Sequence, residues 1–356
     1  MINLMVGNNF DMKFIDILIK LNKKYEGQGI KVNEAFGSIR KLRTKHITTA
    51  RPDFRVPDID ENEFKNICKK LTDNGIRINY TINSPLIDHK EITKTEVENF
   101  INHLVKDFNV SRVTVAHPLL MKLISKVSNI DIEVSTIYHL RHPRQILDLQ
   151  EMVQNITKLC LDVNLNRDRF AIEEQKSYCD QLGIDLELIA NEFCIQHCIV
   201  RDQCYQAHVI NKVVEDTLHH ESFPMGYCIS HREKYPREWL SANFILPQQM
   251  KLYKKLFDIN CFKITGRTAP TKYLSWIVEE YLKQDFNDNL LMLWQDVKNL
   301  KRVADGQIDY LPPKYEIDSS KINCNFLKFY LETEKPITFK SEAEHINKYL
   351  KKALKK

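Results

Sequence analysis

The residues most able to do chemistry lie in one short run, from Asn191 to His208. Three cysteines fall inside it with the spacing C-x3-C-x5-C, and a fourth follows 24 residues later. The four are Cys194, Cys198, Cys204 and Cys228. An ordinary strand, helix or loop needs no such clustering, whereas thiolates are the ligands of iron–sulfur clusters and structural zinc. The run therefore predicts a metal centre.

The cysteine spacing favours an iron–sulfur cluster, of the 4Fe-4S type, over zinc. Zinc ribbons and fingers use two C-x2-C pairs, which are absent. Zinc and the absence of any metal stay open as alternatives, as does the fourth ligand, which is either Cys204 or Cys261. The remaining cysteines fall in apolar patterns and are predicted to be core thiols: Cys68, Cys160, Cys179 and Cys324.

Composition narrows the class of protein. The chain has 356 residues, of which 43% are hydrophobic and 28% charged, as in a soluble globular protein. No secretory signal or membrane-spanning run is visible, and nine cysteines, an odd number, argue against a disulfide framework. A cytoplasmic protein without membrane contact is expected. The net charge of +5 is too small to require a nucleic-acid partner.

Short apolar strands alternate with amphipathic helices along the chain. The predicted strands are residues 2–6, 30–36, 76–82, 113–116, 132–136, 158–163, 186–190 and 261–265. A doubly wound open sheet gives the same alternation. Eight strands, with no dinucleotide-binding fingerprint after the first, favour a (β/α)8 TIM-like barrel, an α/β fold.

Two segments depart from the repeat. An insertion at about 192–247, between strands seven and eight, carries the cysteine cluster. The barrel domain is predicted to cover 1–295, and 296–356 reads as a C-terminal extension packed on the barrel.

In such barrels the site lies at the carboxyl ends of the strands. The polar residues predicted there include candidate acid–base or catalytic groups, namely Glu192, Lys263 and Arg267. The candidate substrate contacts are Asn83, His117, Arg167 and Asn191. Glu192 could instead pair with Arg201 or Arg267, and Asp168 could cap a helix. Arginine, histidine and asparagine on one face suit an anionic or hydrogen-bonding ligand.

The ordered motifs resemble the collagenase-like peptidase family, peptidase family U32. They are Asn191-Glu-x-Cys-x3-Cys-x2-Arg…His208 and Phe262-Lys-Ile-x-Gly-Arg267, with Val32-x-Glu-x-Phe-Gly-Ser38, Asn79-Tyr-Thr-Ile-Asn83 and Asn166-Arg-Asp168 before them. The resemblance spans about residues 2–285 and implies a barrel-like catalytic domain with a four-cysteine iron–sulfur cluster. The cysteine spacing is tighter than in those relatives, and Cys204 has no secure counterpart among them.

The resemblance also implies a choice of activities. The family was named for proteolysis, but relatives take part in oxygen-independent hydroxylation of ubiquinone precursors and of RNA bases, with prephenate as the implied oxygen source for the RNA-modifying ones. We therefore expect an iron–sulfur enzyme that hydroxylates or otherwise modifies a small molecule, a peptide or an RNA base.

Two other functions remain open. A peptidase would have to use a thiol–imidazole pair such as Cys198 and His208, because no Ser-His-Asp set, G-x-S-x-G or H-E-x-x-H is legible. A non-enzymatic cluster-binding or zinc-binding accessory protein is the third possibility. RNA contacts could come from two basic runs, Arg40-Lys41-x-Arg43-x-Lys45 and Arg141-x-x-Arg144. Such runs are usually solvated faces of a protein. RNA is therefore a less favoured substrate than a small molecule or a peptide. A partner subunit, identical or different, is left open.

Overall fold

The computed structural model describes residues 1–210, 242–267, 269–287 and 290–293, with the single positions 227, 228, 231 and 235. The predicted C-terminal extension over 296–356 lies outside the described residues, as does most of the predicted insertion beyond residue 210.

Eight parallel strands close into a barrel in chain order, so the predicted (β/α)8 fold is confirmed. The strands are β1 (Ile2–Gly7), β2 (Ile30–Gly37), β3 (Arg77–Ile82), β4 (Arg112–Val115), β5 (Asp131–Val134), β6 (Ile156–Cys160), β7 (Asp185–Ile189) and β8 (Cys261–Ile264). The barrel closes where β1 pairs with β8, with Leu4 opposite Phe262 and Val6 opposite Ile264.

Helices cover the outside of the barrel. Within the described residues they are α1 (Met12–Lys24), α2 (Glu61–Asp73), α3 (Lys94–Phe108), α4 (Pro118–Val127), α5 (Pro143–Met152), α6 (Arg169–Gln181), α7 (Arg201–Ile210), α8 (Met250–Phe257) and α9 (Thr271–Lys283). Several begin at a side-chain cap, which satisfies a free backbone N–H of the first turn. Asp168, predicted as such a cap, accepts from the Ala171 backbone N–H at 3.0 Å.

The region between α5 and β6 differs from the prediction. The sequence pattern extends the helix to Ile156, but α5 ends at Met152 and Ile156 already belongs to β6. The Asn155 side-chain amide donates to the backbone carbonyls of Ser128 and Ile130, next to β5. These bonds fix the chain in an extended path, so the strand begins two residues early. It ends at Cys160, and the segment Val163–Leu165 is a short 3-10 turn.

The two faces of the strands have different chemistry. Outward side chains such as Leu4, Val113 and Leu188 pack with the helices in one continuous apolar core. Burial of this surface supplies the main driving force for folding. Inward side chains alternate with them and are largely polar, as in Ile132-Glu133-Val134 of β5.

Six buried charges fill the middle of the barrel. They are Glu34, Glu133, Glu187, Arg112, Lys158 and Lys263. Lys158 Nζ lies 3.1 Å from Glu34 Oε1 and 3.4 Å from Glu187 Oε1. Burial alone would raise the pKa of Glu34, but Lys158 and Arg112 outweigh it and lower that pKa to about 2. Three carboxyl groups thus face three cations in a closed interior, where burial and the charge of Glu187 raise the pKa of Glu133.

Replacing Lys158 with Met should lower the free energy of unfolding by about 3–5 kcal/mol, because Glu34 and Glu187 would stay buried without their shared cation. Urea denaturation measures the change. Lys69→Met is the control, since Lys69 pairs with Asp73 on an exposed helix face and should change stability by no more than about 1 kcal/mol. Similar losses in the two variants would contradict a structural role for the buried charges.

Candidate functional site

A cavity of about 380 Å³ lies at the carboxyl ends of the strands, below α7. Its lining includes all four cysteines of the predicted metal centre: Cys194, Cys198, Cys204 and Cys228. Asn83, Glu192, Lys263 and Arg267 also line it. Residues from distant parts of the sequence therefore meet in one chamber, at the end of the barrel where such folds carry their sites.

The four cysteines are close enough to interact electrostatically. Burial raises the pKa of Cys204 to about 11, and the charges of Cys228 and Cys198 raise it further against the lowering effect of Arg51. Burial also raises the pKa of Cys194 well above its usual value, with a contribution from Cys228. Mutual repulsion between thiolates is what a bound cation would relieve.

The first two cysteines of the run precede its helix. The C-x3-C spacing is compatible with one helical turn, but α7 begins only at Arg201, after Cys194 and Cys198. Both cysteines lie in irregular backbone, where the Cys198 N–H donates to Ile195 O at 3.2 Å and the His197 N–H donates to Asn164 Oδ1 at 2.9 Å. The short side chain of Asn164, on the loop after β6, thus anchors the run to the barrel.

The structure separates the two candidates for the fourth ligand. Cys204 lines the cavity with the other three cysteines. Cys261 begins β8 and packs inside the barrel against Met5 and Phe36, and it does not line the cavity. The geometry therefore groups Cys204, not Cys261, with Cys194.

The other predicted core thiols take different positions. Cys68 and Cys179 are buried in the main apolar core, as predicted. Cys160 is buried but also reaches the cavity, and its sulfur lies with carboxylate oxygens of Glu133 and Glu187 in a group within 4.8 Å. Lys263 Nζ contacts both of those carboxylates, at 3.0 Å for Glu187, so a protein cation already occupies this group. Cys324 lies outside the described residues.

Glu192 and Arg201 flank the first two cysteines. Glu192 Oε1 accepts from the Cys194 backbone N–H at 2.8 Å, and its other oxygen lies 3.9 Å from the Arg201 guanidinium. Arg201 is only 4% exposed and donates to the Tyr205 hydroxyl at 3.1 Å. The sequence left two partners open for Glu192, and the structure selects Arg201.

A second group of polar residues forms the opposite wall. Arg267 is 9% exposed and donates to the hydroxyls of Thr81 and Thr49, both at 2.7 Å. Burial lowers the pKa of Arg267, and the charges of Arg51 and Arg43 lower it further. No carboxylate in the described part of the chain forms an ion pair with Arg267.

Tight backbone packing places Arg267. A Cβ atom at Gly7 would lie 2.9 Å from the Arg267 backbone nitrogen, so only glycine lets the end of β1 come this close. Asn83 lies beside this wall, where its Oδ1 accepts from the Thr49 hydroxyl at 2.9 Å. Asn83 and Arg267 therefore reach the cavity as predicted, on a wall braced by threonine hydroxyls.

Three predicted substrate contacts do not line the cavity. His117 caps α4 by accepting from the Leu119 N–H at 3.2 Å, and its ring packs on that of His89. The Arg167 guanidinium lies 4.3 Å from the centre of the Phe244 ring and donates to a backbone carbonyl. Asn191 joins the loop after β7 to the end of β8 through Thr265. In the described structure these side chains hold loops in place.

The basic runs considered for RNA are paired with acids. Arg40 pairs with Asp58 at 3.2 Å, and Arg43 and Lys45 pair with Asp53 and Glu91. The second run has the pairs Arg141–Asp162 at 2.6 Å and Arg144–Asp148 at 2.8 Å. None of the helices in the described residues has the length and apolar character needed to cross a bilayer.

The fold and the site define a TIM-like barrel protein with a thiol-lined cavity at its mouth. The chain is 26% identical over 327 residues to the uncharacterized protease MJ1657 of Methanocaldococcus jannaschii, a match that covers 88% of this chain and 91% of that protein. This similarity supports the resemblance to the collagenase-like peptidase family that the sequence motifs indicate.

Two solved structures are similar to part of this chain. The U32 peptidase Mk0906 is 11% identical, with 62% of this chain and 83% of that chain covered and a TM-score of 0.47. A D-psicose 3-epimerase solved with D-fructose is 13% identical, with 54% and 74% covered and a TM-score of 0.37. No family model matches the sequence.

The placement of Cys204 can be tested with Co²⁺ as a probe, because thiolate ligation gives a strong charge-transfer absorption. Cys204→Ala should weaken Co²⁺ binding by about tenfold or more, since it removes a ligand from the cavity wall. Cys261→Ala should bind as the unmodified protein does. The reverse result would place the fourth ligand inside the barrel.

Proposed function

We propose that the protein is an iron–sulfur enzyme that modifies an organic substrate without molecular oxygen, by hydroxylation or a related reaction. The observation that carries the proposal is the meeting of four cysteines on the wall of one cavity at the barrel mouth. A structural metal would not need a chamber of about 380 Å³ beside it.

The residues present fit a four-thiolate cluster. The donor set is all sulfur, which suits iron–sulfur ligation better than hard cations. Arg201 lies buried beside Cys194 with its Nε and Nη1 unpartnered in the described structure, so the site keeps hydrogen-bond donors for a sulfur-rich group. When bound, such a cluster would supply electron transfer or a site for activating the substrate.

The remaining walls suit an organic anion. Ile137, Ile189 and Ile195 give the cavity apolar surface, while Arg51 and Arg267 give it positive charge. Apolar contacts bind the body of a small molecule, and arginines orient a carboxylate or a similar group. A small molecule or a peptide terminus fits this pattern, and an RNA base ranks below them because the basic surface runs are already paired.

Lys263 supplies a fixed positive charge, and Glu192 is the candidate for proton transfer. Burial would lower the pKa of Lys263, but Glu133 and Glu187 outweigh it and raise that pKa well above its usual value. Lys263 therefore stays protonated at the cavity floor and can stabilise negative charge on the substrate. Glu192 is the acid–base candidate on the cysteine side, 3.9 Å from Arg201.

Anaerobic purification tests the cluster. We expect a brown protein with thiolate-to-iron absorption and matching contents of iron and sulfide. Cys198→Ala should abolish the absorption, whereas Cys68→Ala should leave it intact because Cys68 is buried in the apolar core. A colourless protein after anaerobic reconstitution, or one that contains zinc, would refute the proposal.

The anion wall has its own test, with phenylacetate as the probe and phenylacetamide as its neutral counterpart. Calorimetry should detect phenylacetate binding that Arg267→Gln weakens by about tenfold to a hundredfold, the usual effect of losing a charge-assisted hydrogen bond. Arg169→Gln is the control, because Arg169 pairs with Glu173 on the outside of α6. Equal binding of the acid and the amide would show that the wall does not select anions.

A peptidase is the second candidate, because the relative from Methanocaldococcus jannaschii is described as a protease. Cys204 Sγ lies 3.9 Å from His208 Nε2, which is the thiol–imidazole pairing that a cysteine peptidase needs. Burial raises the pKa of this thiol to about 11, however, which disfavours the reactive thiolate. Casein hydrolysis that requires Cys204 but no iron would favour the peptidase. A protein that holds a cluster but binds no organic ligand in the cavity would favour the third possibility, a non-enzymatic accessory protein.

A further inference from the structure

We propose that Arg201 is a cluster-contacting residue, which donates its free guanidinium N–H groups to the sulfur ligands and raises the reduction potential of the centre. The inference rests on the proposed iron–sulfur cluster and adds to it the residue that tunes it. The buried side chain of Arg201 has more hydrogen-bond donors than acceptors around it.

Arg201 has donors without acceptors. Its side chain is buried, and Nη2 donates to the Tyr205 hydroxyl at 3.1 Å. Its Nε and Nη1 have no hydrogen-bond partner in the described part of the structure. A buried guanidinium with unsatisfied donors is unstable unless an acceptor completes it. A group that binds in the cavity can supply that acceptor.

The neighbouring acids are already engaged. Glu192 lies 3.9 Å away, which is too long for a hydrogen bond, and one of its oxygens is taken by the Cys194 N–H. Asp162 accepts from Arg141 at 2.6 Å and contacts the His139 ring at 3.2 Å. Neither carboxylate supplies the missing hydrogen-bond acceptor for Arg201.

Arg201 lies next to two of the cysteines. The Arg201 backbone N–H donates to Cys198 O at 3.3 Å, which fixes the start of α7 to the second cysteine. The side chain lies close enough to Cys194 for each charge to shift the pKa of the other. All three residues line the same cavity. A sulfur-rich group held by these cysteines would bring hydrogen-bond acceptors to the Arg201 side of the cavity.

The consequence for the cluster follows from charge. Hydrogen bonds and positive charge at the sulfurs stabilise the reduced state, which carries one more electron. Arg201 therefore favours reduction. A matched comparison is available in Arg267, which is also buried, also lines the cavity and also carries one positive charge, but hydrogen-bonds to threonine hydroxyls.

Dye-mediated redox titration of the loaded full-length protein, followed by electron paramagnetic resonance of the reduced state, tests the inference. Arg201→Gln should lower the equilibrium constant for reduction of the cluster by about tenfold. For a one-electron couple this corresponds to a midpoint potential lower by about 59 mV. Arg201→Lys keeps the charge but loses the planar fork of donors. Its midpoint potential should therefore lie between that of the unmodified protein and that of Arg201→Gln. Arg267→Gln should shift the potential much less.

The possible failures are distinct. A cluster present in the unmodified protein, with the same potential in Arg201→Gln and Arg201→Lys, would overturn the role of Arg201 and leave the proposed function standing. Equal shifts in midpoint potential in Arg201→Gln and Arg267→Gln would show that only the total charge of the cavity matters. That result would also overturn the specific role of Arg201. Weaker phenylacetate binding in Arg201→Gln without a shift in potential would assign Arg201 to the substrate instead. Absence of a cluster in the unmodified protein would overturn both.

Discussion

The balance of buried charge inside the barrel is the constraint on which the rest of the structure depends. Parallel strands buried on both faces usually carry apolar residues throughout, but here the inward positions hold carboxylates and cations. Each carboxylate would be costly to bury alone, so Glu34, Glu133 and Glu187 need Arg112, Lys158 and Lys263. These pairs close the interior, which leaves the space above Lys263 as the cavity.

Charge is distributed differently in the barrel interior below Lys263 and in the cavity above it. Below it, the cations and carboxylates satisfy one another, as in the contacts of Lys158 with Glu34 and Glu187. Above it, cations exceed acids: Arg51, Arg201 and Arg267 line the cavity and Glu192 is the single acidic residue in the lining of that cavity among the residues described. This distribution is the basis for proposing that the cavity binds an anion. It separates the internally paired charges of the barrel interior from the cavity wall, where arginines predominate.

The sequence predicted the architecture well because strand and helix periods are local properties. All eight strands were found with boundaries within a few residues of the structure. Three of the strands alternate apolar and polar residues, in Val113-Thr-Val, Ile132-Glu-Val and Phe262-Lys-Ile, but the ionic interior was not predicted from them. Lys263, a predicted catalytic candidate, pairs there with Glu133 and Glu187.

The cavity wall was harder to predict. Asn83 and Arg267 were found because they directly follow strands, and Arg51 was missed because it lies in the long loop after β2. His117, Arg167 and Asn191 also follow strands, yet their side chains cap a helix or join loops. Position after a strand places a residue at the mouth of the barrel, but the direction of its side chain depends on contacts between distant segments, which sequence spacing does not contain.

The same reasoning explains why the cysteine spacing matches no standard metal motif. Standard motifs hold their ligands by local geometry, such as one turn of a helix or a tight hairpin. Here the barrel holds the run from several sides. Asn164 accepts from the His197 N–H at 2.9 Å, and His139 bridges Asp162 of the barrel to Asp202 of α7 at 3.2 and 2.9 Å. Ligands fixed by distant strands need no fixed spacing, so the barrel, and not the interval between cysteines, determines how closely the thiols approach.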